Sequence, residues 1–114
     1  MHIGVLDSGI GGLTVVRAIK QLLPQESIIY YGDTAYLPYG NKPRAAIRDR
    51  TQRVCSMLLQ YPCKAIVVAC NSAAAVVYDE IGDWVSHSVP VLNVIDPMLQ
   101  YVAQNLSGKV VGLI

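Results

Sequence analysis

Cys70 is the residue whose position in this sequence best suits it for chemistry. It follows the apolar run Val67-Val68-Ala69 and precedes a polar pair and a run of alanines, a pattern that predicts a buried strand leading into a helix. In α/β domains such a junction faces the crevice where ligands bind. The free amides and positive dipole end of the following helix favour thiolate over thiol, and the thiolate is the reactive form. We therefore expect a reactive Cys70, although a lone buried cysteine is usually an inert packing group.

A second polar cluster, Asp7-Ser8-Gly9-Ile10-Gly11-Gly12, follows the first apolar run of the chain. Its glycines let backbone amides approach a ligand closely, and the next helix adds its N-terminus, so an anion could bind. The glycine spacing fits neither the dinucleotide nor the triphosphate motif, and no lysine follows. Asp7 would repel an anion unless it orients an ammonium group or accepts a proton. The alternative is that Asp7 only caps the turn, and the turn alone does not decide between the two.

A third cluster runs from Gly32 to Gly40 and contains Asp33, Pro38 and Tyr39. Taken alone, this segment is typical of an ordinary proline turn. Its fixed backbone and its phenol could also contact a ligand.

The residues after Cys70 extend its cluster. Asn71 offers an amide to orient a ligand, and Ser72 is the predicted N-cap of the next helix. Because the three clusters follow three successive predicted strands, they should converge on one edge of a sheet. This convergence favours a functional site over three unrelated turns.

The composition indicates one globular domain and excludes several kinds of partner. The chain has 114 residues, of which 53% are hydrophobic and 15% charged, and a net charge of +1. Neither disorder nor binding to nucleic acid or an anionic membrane is expected, and no apolar run reaches transmembrane length. The cysteines, Cys55, Cys63 and Cys70, show no metal-ligand or CxxC spacing. This predicts free thiols in a reducing cytoplasm and no metal site.

Apolar runs alternate with helical patterns along the chain. We predict strands over residues 2–6, 27–31, 65–69, 91–95 and 110–114, and helices over residues 13–23, 44–59, 72–81 and 97–106. The apolar stripe of the second helix comprises Ile47, Thr51, Val54, Cys55 and Leu58. Asp96 should cap the fourth helix. Nearly continuous apolar strands are typical of a parallel sheet with helices on both faces, so the predicted fold class is α/β and flavodoxin-like.

The end of the sequence resembles its beginning. Val111-Gly112-Leu113-Ile114 is similar to Ile3-Gly4-Val5-Leu6. One tetrapeptide is weak evidence of a repeat, but it suggests that a second unit begins near Asp96 and is cut off.

Together, the clusters resemble the cofactor-independent aspartate/glutamate racemase family. The matching motifs are Gly4-Val5-Leu6-Asp7-Ser8-Gly9-Ile10-Gly11-Gly12-Leu13-Thr14-Val15, Tyr31-Gly32-Asp33-Thr34-Ala35, Pro38-Tyr39-Gly40, Val68-Ala69-Cys70-Asn71-Ser72-Ala73 and Val94-Ile95-Asp96-Pro97. Ordered motifs over essentially the whole chain are far more specific than any one of them. The resemblance implies an amino-acid racemase without a cofactor, in which two cysteines face opposite sides of the substrate's α-carbon. One cysteine takes the α-proton as a thiolate, and the other returns a proton as a thiol.

The resemblance also assigns roles to individual residues. Cys70 is implied as the cysteine that serves the D-enantiomer, and Asp7 as the carboxylate that assists it. The positions matching substrate-binding residues are Asp7, Ser8, Tyr39, Gly40, Asn71 and Ser72. Asp33 is implied as a supporting carboxylate. The implied substrate is glutamate, and the implied role is the supply of D-glutamate for peptidoglycan.

By the same resemblance, the chain is only part of a racemase. Family members have two similar α/β domains, and the second cysteine lies in a Cys-Thr-His motif of the half that is absent here. We assign residues 1–95 to the first domain, which is itself incomplete because the family's chain returns to it near the C-terminus. Residues 96–114 are assigned to the first helix and strand of the second domain. We therefore expect no net racemisation by this chain alone, and self-association or homo-oligomerisation through the surface left bare.

Other functions stay open. A sibling enzyme that racemises aspartate or hydantoins would share these motifs. A non-enzymatic module that binds a ligand or a protein partner would need no second cysteine. The interpretation as a phosphate-binding flavodoxin-like domain is supported by the glycine turn alone. Both Asp7 and the lack of a nearby lysine argue against it.

Overall fold

The computed structural model describes residues 1–85 and 88–112. Its elements are β1 (His2–Asp7), α1 (Leu13–Leu22), β2 (Ser27–Gly32), α2 (Arg44–Leu58), β3 (Cys63–Val68), α3 (Asn71–Trp84), β4 (Val91–Asn93) and α4 (Ile95–Asn105), with short 3₁₀ helices at Thr34–Tyr36 and Tyr39–Asn41. This alternation of strands and helices confirms the predicted α/β class. Within the described ranges, none of the helices combines the length and the apolar character needed to cross a membrane.

The four strands form one parallel sheet in the order β2-β1-β3-β4. Leu6 of β1 pairs with Tyr31 of β2 and with Val68 of β3, and Asp7 pairs with Gly32. The segments that follow β1, β2 and β3 therefore leave the sheet at one edge, as the sequence predicted. Ligands of open α/β sheets bind at this carboxyl edge.

One face of the sheet packs on α2 and α3 and forms the main apolar core. The predicted stripe of α2 is confirmed, since its members are all buried: Ile47, Thr51, Val54, Cys55 and Leu58. Thr51 satisfies its hydroxyl by donating a hydrogen bond to the carbonyl oxygen of Ile47 at 2.7 Å. This burial, worth about 25 cal/mol per Å² of apolar surface, holds α2 and α3 on the sheet and so fixes the N-terminus of α3.

The opposite face is covered only in part, by α1 and α4. Neither helix has a buried residue, and an open groove of about 590 Å³ lies between them. The groove is lined by Val15 and Ile19 of α1, Val67 and Leu92 of the sheet, and Pro97 of α4. Helices thus lie on both faces, as predicted, but the two faces differ in how deeply they are buried.

The C-terminal part of the chain departs from prediction in two ways. α4 begins at Ile95, and the side chain of Asn93, rather than that of Asp96, caps it by accepting hydrogen bonds from the amides of Ile95 and Asp96 at 2.8 Å each. Residues 110–112 belong to no strand, so the described part of the predicted fifth strand is absent. The rest of that strand, residues 113–114, lies outside the described residues.

Candidate active site

A cavity of about 630 Å³ opens at the carboxyl edge of the sheet. Its walls come from the glycine turn after β1, the loop before α2 and the junction between β3 and α3. The predicted site residues that line it are Asp7, Ser8, Cys70, Asn71 and Ser72. The predicted residues outside its lining are Asp33, Tyr39 and Gly40. Among the residues that the structure describes, no three His, Cys, Asp or Glu side chains are grouped so that they could hold a metal ion.

Cys70 is the N-cap of α3, the position that the sequence assigned to Ser72. The helix begins at Asn71, and the Cys70 sulfur accepts a hydrogen bond from the Ala73 amide at 3.4 Å. The prediction of Ser72 as the cap is wrong, because the cap lies two residues earlier in the chain, at Cys70. Cys70 is only 4% exposed, but that exposure is on the cavity. The positive end of the α3 dipole lies at the sulfur and stabilises negative charge there.

Backbone amides at this junction are available to a ligand. No described residue accepts a hydrogen bond from the amide of Asn71 or Ser72. A methyl group at Gly40 would lie 3.5 Å from the Ser72 hydroxyl oxygen, so the loop that carries Gly40 lies over the first turn of α3. Unpaired amides at a helix N-terminus are well suited to bind a carboxylate.

The other two thiols lie outside the cavity lining. Burial raises the pKa of the Cys55 thiol to about 12, and burial also raises the pKa of the Cys63 thiol. Cys63 donates a weak hydrogen bond to the carbonyl oxygen of Leu58 at 3.6 Å. Both thiols therefore stay protonated at neutral pH and serve in packing, which leaves Cys70 as the candidate for thiolate chemistry.

Asp7 is held through one of its two carboxylate oxygens. Its Oδ2 accepts hydrogen bonds from the Gly12 amide at 2.8 Å and from the Tyr30 hydroxyl at 3.1 Å. Its Oδ1 has no hydrogen-bond partner among the described residues. Because Asp7 is 6% exposed and lines the cavity, Oδ1 is the oxygen left for a ligand. Asp7 thus caps the turn and leaves Oδ1 unbonded at the cavity, as its functional interpretation requires.

Close packing requires glycine at two positions beside Asp7. A Cβ at Gly12 would lie 3.0 Å from the Cβ of Asp7, and one at Gly32 would lie 2.2 Å from the carbonyl oxygen of Gly9. The first distance is shorter than the usual 3.5–4.0 Å between carbon atoms in contact, and the second is too short for a carbon and an oxygen that are not bonded. The glycine turn therefore lies directly against the end of β2, where the Tyr30 hydroxyl shares its single proton between the carbonyl oxygen of Gly9, at 2.6 Å, and Asp7 Oδ2. No sequence pattern indicates Tyr30, because only the strand register brings it to Asp7.

Asp33 and Tyr39 form a buried cluster with Arg50 outside the cavity lining. The Tyr39 hydroxyl donates to Asp33 Oδ2 at 2.5 Å, and Arg50 donates to both carboxylate oxygens, at 2.9 Å to Oδ1 and 3.0 Å to Oδ2. Burial by itself would raise the pKa of Asp33, but the hydrogen bonds from Arg50 and Tyr39 outweigh it and lower the pKa below its ordinary value. Arg50 also lies over the ring of Tyr36, with its guanidinium carbon 3.5 Å from the ring centre. This cluster holds the loop between β2 and α2.

The charge of Cys70 contributes to the raised pKa values of two tyrosines, Tyr30 and Tyr39. Burial first, then the charge of Asp7 and its hydrogen bond, and last the charge of Cys70 raise the pKa of Tyr30 to about 12. The charge of Cys70 also contributes to the raised pKa of Tyr39, after burial and the effects of Asp33. A negative charge on Cys70 therefore opposes the ionisation of Tyr30, which bonds Asp7, and of Tyr39. A sulfur, a carboxylate and unpaired amides around one cavity can remove a proton and stabilise the negative charge that results.

Comparison with known proteins confirms the resemblance found in the motifs, although no protein-family model matches the chain. A glutamate racemase of Streptococcus thermophilus is 46% identical over 112 residues, which are 98% of this chain and 41% of that protein. The structure of the glutamate racemase from Aquifex pyrophilus matches 92% of this chain and 41% of its own, with a TM-score of 0.85 and 36% identity. The Francisella tularensis glutamate racemase, solved in complex with D-glutamate, matches 90% of this chain and 39% of its own, with a TM-score of 0.86 and 41% identity. The chain therefore spans about two fifths of the length of the relatives it matches.

Proposed function

We propose that this chain, a homologue of the glutamate racemases, supplies one half of a racemase active site that interconverts L- and D-glutamate. The observation that carries this proposal is the cavity shared by Cys70 and Asp7, with the unpaired amides of Asn71 and Ser72 beside them. Such a set can hold both charged ends of an amino acid and act on the α-carbon between them. The D-glutamate bound to the Francisella relative supports glutamate as the substrate.

Binding follows from the groups that the fold leaves unpaired. The α-carboxylate of the substrate would accept hydrogen bonds from the amides of Asn71 and Ser72 at the start of α3. The free Oδ1 of Asp7 would face the ammonium group or assist proton transfer. The remaining contacts that we propose are the hydroxyl of Ser8 and the backbone at Tyr39 and Gly40, since the Tyr39 phenol is already bonded to Asp33.

The first chemical step is a proton transfer to sulfur. Cys70, as a thiolate, takes the α-proton of D-glutamate and becomes a thiol, and the electron pair of the C–H bond stays on the substrate. An α-proton beside a carboxylate is a very weak acid, so the site must stabilise the developing negative charge. The helix N-terminus and its amides provide this stabilisation, so the scheme uses no cofactor.

Inversion also requires an acid on the opposite face of the α-carbon. We propose that a second cysteine supplies this proton from a region outside this chain, which spans 41% of its Streptococcus relative. Residues 96–114 would then belong to the second domain. For this reason the chain alone should leave the optical rotation of D-glutamate unchanged. We further propose that the complete enzyme supplies D-glutamate for peptidoglycan in the cytoplasm.

The role of Cys70 can be tested in a full-length racemase that carries this sequence. Cys70→Ser should lower kcat for D-glutamate by about 10²–10⁴-fold, the usual effect of losing a proton-transferring group. Cys63→Ser is the matched control, because this thiol is buried in β3 outside the cavity lining, and it should keep kcat near the wild-type value. Circular dichroism of the substrate gives the rates. Equal kcat values for the two variants would remove Cys70 from the mechanism.

The kinetic constants of the same full-length enzyme distinguish glutamate from the substrates of sibling racemases. The proposal predicts a higher kcat/KM for D-glutamate than for D-aspartate or a hydantoin. A higher value for either of those compounds would assign the chain to a sibling enzyme.

A further inference from the structure

We propose that Tyr30 is a positioning residue whose hydroxyl fixes the carboxylate of Asp7 and the glycine turn, so that the second carboxylate oxygen stays free for the substrate. This role rests on the proposed function, because it concerns Asp7 as a group that acts on an amino acid. The motifs that identified the site do not include Tyr30.

The strand register brings Tyr30 to the site. Tyr30 of β2 pairs with Val5 of β1, two residues before the pairing of Gly32 with Asp7. Residues two apart on a strand share one face of the sheet, so Tyr30 and Asp7 lie on the same face. The hydroxyl of Tyr30 has a single proton, which it shares between the carbonyl oxygen of Gly9, at 2.6 Å, and Asp7 Oδ2, at 3.1 Å. Tyr30 therefore links the carboxylate to the turn that follows it.

The hydrogen bonds at Asp7 determine which oxygen is free. The Gly12 amide, at 2.8 Å, and the Tyr30 hydroxyl both donate to Oδ2, while Oδ1 has no partner among the described residues. Without the hydroxyl, Oδ2 would keep one donor and the Gly9 carbonyl would have none in the described part of the chain. The carboxylate could then rotate about its side chain, and the turn would lose its contact with β2. The hydroxyl thus acts together with the Gly12 amide to hold Oδ2, which leaves Oδ1 towards the cavity.

The environment keeps this hydroxyl a donor. Burial, the charge and hydrogen bond of Asp7, and the charge of Cys70 raise the pKa of Tyr30 to about 12. The phenol therefore holds its proton throughout the neutral range. Tyr30 is therefore a protonated donor in direct contact with Asp7, one of the two groups that we propose for catalysis.

The structural part of the proposal can be tested on this chain itself, without any turnover. In Tyr30→Phe, the nuclear magnetic resonance signal of the Gly12 amide should shift, and its exchange with solvent should become about tenfold faster, as expected when a buried hydrogen bond is lost. Tyr31→Phe is the matched control: Tyr31 packs against the main core on the other face, and its hydroxyl bonds to none of the described residues. That control should leave the Gly12 signal unchanged. An unchanged Gly12 signal in Tyr30→Phe would overturn the proposal.

A reciprocal variant covers the case in which Tyr30→Phe does not fold. In Asp7→Asn, the pKa of the Tyr30 phenol should fall from about 12, because the carboxylate charge that opposes its ionisation is gone. Carbon-13 labelling of the tyrosine rings resolves this titration. A Tyr30 pKa that is the same in Asp7→Asn and the wild type would overturn the proposed link between the two residues.

The catalytic part is tested in a full-length racemase that carries this sequence. Tyr30→Phe should lower kcat/KM for D-glutamate by about tenfold, because a rotated Asp7 carboxylate no longer presents Oδ1 to the substrate. The loss should appear in KM if Oδ1 binds the ammonium group and in kcat if Oδ1 assists proton transfer. Tyr31→Phe should change neither constant. A shifted Gly12 signal with an unchanged kcat/KM would overturn the positioning role. If the unaltered enzyme does not turn over glutamate, the proposed function fails, while the Gly12 signal and the Tyr30 titration still decide whether Tyr30 orients Asp7.

Discussion

Cys70 and Asp7 each use part of their hydrogen-bonding capacity on the fold and leave the rest for a ligand. The Cys70 sulfur accepts the Ala73 amide, and Asp7 uses only Oδ2. Asp33, in contrast, has both oxygens bonded to Arg50 and lies outside the cavity lining. The family resemblance implied a role at the site for all three. We propose that Asp33 supports the site indirectly, by holding the loop before α2.

The acid sensitivity of the fold tests this role of Asp33. Asp33→Asn should lower the free energy of unfolding at neutral pH by about 2 kcal/mol, the scale of hydrogen bonds to a charged group. Because the folded-state pKa of Asp33 is lowered, the stabilisation is present above the unfolded-chain pKa of about 3.9 and is lost as the pH falls through the folded-state pKa. Urea unfolding at several pH values should therefore show the difference from wild type shrinking below about pH 4.

The matched control for Asp33 is Asp49→Asn. Asp49 forms an exposed ion pair with Arg53 at 3.1 Å, and such pairs contribute at most about 1 kcal/mol. Its removal should leave both the stability and the pH dependence nearly unchanged. A pH-independent loss in Asp33→Asn, or an equal loss in Asp49→Asn, would contradict the role given to Asp33.

The sequence revealed the candidate site residues that lie at strand-to-helix junctions, and not the side chains that hold Asp7 and Asp33 from other elements. Cys70 and Asp7 could be found because hydrophobic periodicity locates the ends of strands. Tyr30 and Arg50 could not, since their partners lie 23 and 17 residues away. Those contacts depend on strand register and on the rotation of α2 against the sheet, which local patterns do not determine.

The glycine turn is the element on which the site geometry depends most. Gly12→Ala would place a Cβ 3.0 Å from both the Ala69 and the Asp7 Cβ atoms, so the turn must move and the bond from the Gly12 amide to Asp7 must lengthen. We expect a loss of about 1–3 kcal/mol in the free energy of unfolding. Gly82→Ala is the control: it lies within α3 with nothing within 4 Å of its Cβ position. It should stabilise the fold by about 0.5–1 kcal/mol.

Thermal unfolding of the two glycine variants provides the measurement. Opposite shifts in Tm are expected, downward for Gly12→Ala and upward for Gly82→Ala. A Gly12→Ala variant as stable as the wild type would mean that the turn tolerates a side chain and does not fix Asp7.

Hydrophobic periodicity predicted where the helices and strands lie better than it predicted the residues at which they begin and end. The second helix was predicted over residues 44–59 and is found at Arg44–Leu58. The start of α3 was missed because neighbouring polar residues compete for the cap, and sulfur is not a usual capping group. The apolar run at residues 110–112 has strand composition but no strand, because a strand forms only where a neighbour accepts and donates its backbone hydrogen bonds.

The two faces of the sheet are unequally covered. The elements of the partly covered face carry several exposed large apolar side chains, which include Leu13, Leu22, Leu92, Leu99 and Tyr101. Leu92 lines the open groove between α1 and α4, and the other four belong to these two helices. Monomeric soluble proteins rarely expose large contiguous apolar patches, so we expect this face to associate when the chain is alone.

Sedimentation velocity tests this association. The sedimentation coefficient of the isolated chain should rise with concentration, and Leu99→Glu should shift it towards the monomer, because a charge on α4 opposes burial of that face. Met57→Glu is the control, since Met57 of α2 is comparably exposed, at 43% against 55% for Leu99, on the other side of the sheet. A monomer at every concentration would contradict the expectation.

Deuterium incorporation at the α-carbon of D-glutamate tests the proposed role of Cys70 most directly. In heavy water, a full-length racemase carrying this sequence should exchange the α-proton of D-glutamate for deuterium, and proton magnetic resonance follows the loss of that signal. Cys70→Ser should slow this exchange by at least about 10²-fold, while Cys63→Ser should exchange at nearly the wild-type rate. If Cys70→Ser and Cys63→Ser exchange the α-proton of D-glutamate equally fast, the result contradicts a thiolate at position 70 as the base.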